Sequence, residues 1–180
     1  MFQRKSVSNP DATPQRERQA ATHVASAQRS EPAFARAVHL AGHAVAAVVC
    51  GGTYGPLALD GGTGVCAAAL AAGAGGGGPA RNATEAAIIV ALAGGEAEAI
   101  VTGVTPSACT DVTRWLTDGD PAEAEPYVEW LRLKAARAVA HPLRQRLIQA
   151  LAERLLLGPL TASEIARLTN LETSRYMRGQ

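Results

Sequence analysis

Residues 37–49 read AVHLAGHAVAAVV. This stretch decides how the chain is read. It is apolar except for His39 and His43, which stand four apart. Side chains at i and i+4 lie on one face of a helix, so two imidazoles can reach one ion. The pattern H-E-x-x-H uses that geometry for zinc, with its glutamate as general base on metal-bound water. Here the position after the first histidine is Leu40. The same spacing also suits a core helix whose histidines are satisfied by packing.

The helix around this stretch is expected from Pro32 to about Val49. A proline falls in its first turn and Gly51-Gly52 follows its end, the usual asymmetry of start and stop signals. Residues 53–72 carry two short apolar runs split by DGGTG and are expected to form a small hairpin or two short strands. The following GAGGGGP, residues 73–79, is too glycine-rich to be a packed element. A second helix is expected from Thr84, as N-cap, to Thr102, closed by Gly103. Gly94 and Gly95 lie inside it, where glycine costs about 1 kcal/mol relative to alanine. Close packing against the alanine-rich first helix would compensate.

Pro106 and Ser107 suggest a further helix start, with Asp111 about one turn in. The C-terminal third is expected to be a helical hairpin broken at Pro142. A short terminal helix follows, in which Thr161 and Glu164 stand at capping-box spacing. Residues 1–30 are polar, rich in Gln, Arg, Ser and Pro, and are expected to be a disordered arm; His23 within it has no assigned role. The ordered domain is expected over residues 31–175.

Composition narrows the function classes. Apolar residues make up 47% of the 180 but aromatics only 4%, so the core is expected to be small-residue helices in close contact. Lys and Arg total 17 against 16 Asp and Glu, which gives no electrostatic basis for nucleic-acid binding. Three cysteines, Cys50, Cys66 and Cys109, without CxxC spacing, do not suggest a disulfide framework; a reducing, cytoplasmic setting is expected. No secretory h-region is present, and no run approaches the roughly 18 consecutive apolar residues of a membrane span. The glycine-rich stretch lacks the Lys-Ser/Thr of a P-loop.

A zinc site needs a third protein ligand. Asp111, Asp60, Asp118, Glu98 and His141 are all candidates, and spacing alone does not choose among them. His141, just before Pro142, is read as a helix-end histidine near carbonyls.

Four segments, in order, resemble one family. AVHLAGHAVAAVVCGG is similar to the HEAGHA helix of the FtsH-type zinc metallopeptidases, the protease module of membrane-bound AAA proteases. IIVALAGGEAEAIVTG resembles that family's LAGRAAE helix, with Glu98 at the motif's glutamate; Glu96 does not match it. SACTDVTRWL resembles GASNDLxxAT, whose aspartate falls at Asp111. LIQALAERLLLGPLTASEIARL resembles the closing helices. The resemblance spans about residues 33–168. It implies a mainly α (α+β) metallopeptidase-like fold: a small hairpin beside the zinc helix and a C-terminal helical hairpin. It further implies Zn2+ held by His39, His43 and Asp111, and Glu98 orienting an imidazole behind them.

The departures from the family are specific. Leu40 occupies the general-base position and leaves no catalytic residue to name. General-base catalysis contributes about 100- to 10,000-fold, so hydrolysis by the family mechanism is expected to be severely impaired. The ATPase module and its membrane segment are absent from this sequence. An extended peptide or unfolded protein is the implied substrate, and a separate AAA ATPase or a homo-oligomer is the implied partner. The alternative is a non-catalytic peptide- or protein-binding module on the same fold. A third possibility is a metal-free, alanine-rich interaction protein.

Overall fold

Helix α1, Pro32–Val49, has ten of its 18 residues buried. Ala37, Ala41, Ala44, Ala46 and Ala47 have no exposed surface, and Phe34, Val38 and Val45 are buried with them. A helix this apolar, with Arg36 its one charged residue, needs most of its surface enclosed by protein or lipid. By length and composition α1 is apolar enough to cross a membrane, yet 56% of it is buried inside this fold. The structure is a computed structural model that describes residues 32–60, 63–66, 82–104 and 121–179.

The remaining elements surround α1. Strands β1, Leu57–Asp60, and β2, Thr63–Cys66, form the expected antiparallel pair, with Leu57 opposite Cys66 and Asp60 opposite Thr63. The pair packs on α1. Among the described residues the other helices are α2 (Ala83–Thr102), α3 (Pro121–Ala140), α4 (Pro142–Leu155) and α5 (Ala162–Arg178). Helix α2 lies along α1, α3 packs on α2, α4 packs on α1, and α5 packs on α4. The fold is mainly helical with a two-stranded sheet.

Local signals set most of the helix ends. Gly103 closes α2 in the left-handed region at φ 74°, where a side chain is disfavoured. The start of α2 differs from expectation. Asn82 is the N-cap rather than Thr84, because its side-chain oxygen accepts the Glu85 N–H at 2.9 Å. The capping box of α5 is formed: the Thr161 N–H donates to Glu164 Oε2 at 2.9 Å and the Glu164 N–H donates to Thr161 Oγ1 at 3.3 Å. Hydrogen bonds from the Thr161 backbone and side chain hold the Glu164 carboxyl below its usual pKa.

The expected C-terminal hairpin takes another form. Only His141 separates α3 from α4, which is shorter than the roughly 2–5 residues that reverse a helix pair. Helix α3 faces α2 and α4 faces α1, so the close pair in this region is α4 with α5. His141 is the N-cap of α4: its Nδ1 accepts the Leu143 N–H at 3.3 Å. It therefore serves the start of a helix rather than the carbonyls at the end of one. One further tie joins the layers. Leu57 and Leu160 exchange backbone hydrogen bonds of 2.9 and 2.8 Å, pinning β1 to the connection between α4 and α5.

Candidate metal centre

The site is built from the interface of α1 and α2. Gly42 brings the two backbones together. A Cβ there would lie 2.6 Å from Ala97 Cβ, 2.8 Å from the Ala93 carbonyl oxygen and 3.2 Å from Gly94 Cα. Alanine at 93 and 97 and glycine at 94 present the low surface that Gly42 meets. The expected close packing of the α2 glycine against α1 is thus realised at Gly94.

His39 and His43 stand side by side on the face of α1 turned to α2. Their ring centroids are 4.6 Å apart and the rings are nearly perpendicular, at 81°. Each ring is tied through Nδ1 to α2. His43 Nδ1 lies 2.6 Å from the carbonyl oxygen of Val90. A carbonyl only accepts, so His43 carries its proton on Nδ1. His39 Nδ1 lies 3.2 Å from Glu98 Oε2. An ionised carboxylate also only accepts, which places the His39 proton on Nδ1 as well. In the neutral rings both Nε2 atoms are then unprotonated. This is the arrangement in which a ligating histidine donates its other nitrogen to a carboxylate or carbonyl behind it. Burial, outweighing the Val90 hydrogen bond and helped by the neighbouring His39, pushes the His43 pKa below the usual imidazole range. His43 stays neutral, as a metal ligand must.

Two imidazoles, nitrogen donors of the type zinc takes, stand at i and i+4 with their Nδ1 atoms held from α2, and Glu98 lies behind His39. Among the described residues no three His, Cys, Asp or Glu side chains form a ligand group. Asp111, the implied third ligand, lies outside the described residues, as do Asp118, Cys109, His23 and the expected helix start at Pro106. Asp60 closes β1. His141 caps α4 and lies beside the Tyr176 ring of α5, so it is occupied elsewhere.

Leu40 does not face water. It is 6% exposed and belongs to the core cluster of α1. Glu96, two residues before Glu98 on α2, turns to α3 and pairs with Arg132 at 3.5 Å.

A second polar cluster joins α2 to α3. Glu85, in the first turn of α2, is 1% exposed. The Tyr127 hydroxyl donates to its Oε1 at 2.6 Å, and Lys134 Nζ is 3.8 Å from its Oε2. Lys134 Nζ also lies 3.7 Å from the centre of the Trp130 ring, which stacks on Tyr127. Tyr127, Trp130 and Lys134 stand at i, i+3 and i+7, which marks one face of α3. That spacing is the only signal of the cluster in the sequence; no local pattern names Glu85 as the partner. Comparison with protein-family models, with curated proteins and with solved structures gives no match for this chain.

Proposed function

We propose that this chain is an FtsH-type metallopeptidase-like domain that binds zinc through His39, His43 and Asp111 and hydrolyses peptides weakly or not at all. The observation that carries the reading is the pairing of the two histidines: each Nδ1 is held by α2, which leaves each Nε2 for a metal. Bound zinc would act as a Lewis acid toward water and a peptide carbonyl.

Val90 and Glu98 fix the tautomer and tilt of the two rings. Leu40 has no group that takes a proton or orients water, at the position where the resembled family carries its base. The reading implies an extended peptide substrate, a cytoplasmic setting, and a separate AAA ATPase or a homo-oligomer as partner.

A second reading is favoured by one specific observation, the burial of Leu40 at 6% exposure. A side chain enclosed in the core is a packing residue, and it suits a non-catalytic peptide- or protein-binding module in which zinc holds the fold together. Metal analysis of untagged protein tests the part common to both readings. Stoichiometric zinc in the wild type that disappears in His39→Ala supports them. Protein that never retains zinc overturns both.

A further inference from the structure

Two glycines meet at the α1–α2 interface, and they are needed for different reasons. A Cβ on Gly42 would strike the Ala93 carbonyl and Ala97 Cβ, which belong to the framework of α2. A Cβ on Gly94 would strike the imidazoles. It would stand 2.5 Å from His43 Nε2, 2.6 Å from His43 Cε1 and 2.8 Å from His39 Cδ2. All three distances are shorter than carbon–carbon or carbon–nitrogen contacts allow, and all three involve the two rings. The space that a side chain would fill at 94 is filled by the histidine pair.

We propose that Gly94 is a positioning residue for the histidine pair: its missing side chain is the cradle that lets both rings lie against α2 with His43 Nδ1 on the Val90 carbonyl. The proposal deepens the metal-binding reading and rests on it for its functional meaning. Imidazoles are side chains and can swing, whereas the Ala93 carbonyl is held in a helix. A methyl group at 94 therefore displaces the rings first. His43 loses the Val90 carbonyl, its tautomer is no longer fixed, and the two Nε2 atoms no longer serve one ion. The helix itself gains an alanine in place of a glycine, which favours it. Loss of metal and retention of fold are the joint signature of this role, because a glycine needed only for helix approach would lower stability first.

The test uses the full chain and Gly94→Ala, with Co2+ as the probe. It has two readouts: the visible absorption of bound Co2+, and 15N chemical shifts of the His43 imidazole in metal-free protein. The expected result is a wild-type-like helical circular dichroism spectrum and a cooperative melt. Co2+ affinity falls about 10- to 100-fold, and the Nδ1–H signature of His43 is lost. Wild-type Co2+ affinity together with an unchanged Nδ1–H signature overturns the proposal. If the wild type itself binds no Co2+, the metal reading fails separately, and the imidazole spectrum alone decides: an unchanged tautomer in Gly94→Ala overturns the positioning role, a changed one supports it. If Gly94→Ala does not fold, the double variant with His43→Ala decides. Restored folding identifies the imidazole as what the methyl strikes; persistent unfolding shows that the space at 94 serves backbone approach and overturns the proposal.

Discussion

His43 Nδ1 lies 2.6 Å from the carbonyl oxygen of Val90, a residue 47 positions away on the neighbouring helix. That one contact fixes the tautomer of the ring, and burial lowers the ring's pKa. Both make His43 a neutral donor at neutral pH.

Burial of that ring makes stability depend on pH. In the unfolded chain the imidazole takes a proton near pH 6.5. In the folded protein its pKa is lower, so between the two values the unfolded state binds more protons. Stability then rises with pH across this window. The contribution is fully present above about pH 6.5 and is lost as pH falls toward the folded value. Melting of metal-free protein is expected to be level near pH 7–8 and to decline below about 6.5. In His43→Gln the part of that decline due to His43 disappears. An identical pH profile in the variant would count against the buried, neutral ring.

Leu40→Glu places a carboxylate where a side chain is 6% exposed. The metal-free variant should be about 3 kcal/mol less stable, and more so as pH rises and the carboxyl ionises. Urea titration at about pH 5 and pH 8, on either side of that ionisation, measures both effects. The same variant with zinc, assayed on unfolded casein, asks whether the remaining site is competent. Zinc-dependent cleavage by Leu40→Glu and not by Leu40→Gln would show that the base is the one missing component.

Gly42→Ala should weaken the fold itself. Its Cβ would meet the Ala93 carbonyl at 2.8 Å and Ala97 Cβ at 2.6 Å. Neither can move without shifting α2, and overpacking of this kind costs about 1–3 kcal/mol. Chemical denaturation of metal-free protein is the measurement. A variant as stable as wild type would mean that α1 and α2 do not approach this closely.

Tyr127→Phe removes a hydroxyl that donates to Glu85 at 2.6 Å. Glu85 is 1% exposed, and a hydrogen bond to a carboxylate there is worth about 1.5–3 kcal/mol. Chemical denaturation of the variant measures the loss, and a variant as stable as wild type would place the hydroxyl's role elsewhere.

Thr161→Ala opens the capping box of α5 and should cost about 1 kcal/mol. Amide exchange along Ala162–Arg178 should speed up most in the first turn. Uniform protection in that helix would show that its packing on α4, rather than its cap, sets its stability.

Features that lie within one or two helical turns were legible in the amino-acid order alone. His39 and His43 share a face because they are four apart. Pro32 and the glycines at 51 and 103 bracket α1 and α2. Thr161 and Glu164 cap α5. These depend on dihedral preferences and hydrogen bonds between near neighbours, and a neighbour in sequence is there whatever the fold. The start of α2 was not among them: Asn82 rather than Thr84 caps it, because the Asn82 side chain accepts the Glu85 N–H.

What each histidine leans on, where Leu40 lies, and how α3 and α4 divide all depend on packing between distant elements. Val90 and Glu98 are 47 and 59 residues from their imidazoles. Their position depends on the register of two apolar helices. Helix α1 is apolar apart from Arg36, His39 and His43, and Leu40 adjoins His39, so periodicity alone does not tell whether Leu40 is enclosed. Gly94 reads in sequence as a helix-weakening residue offset by close packing, and Gly42 as a place where another segment can approach. Only the close approach of two backbones shows that one admits a pair of imidazoles and the other a carbonyl.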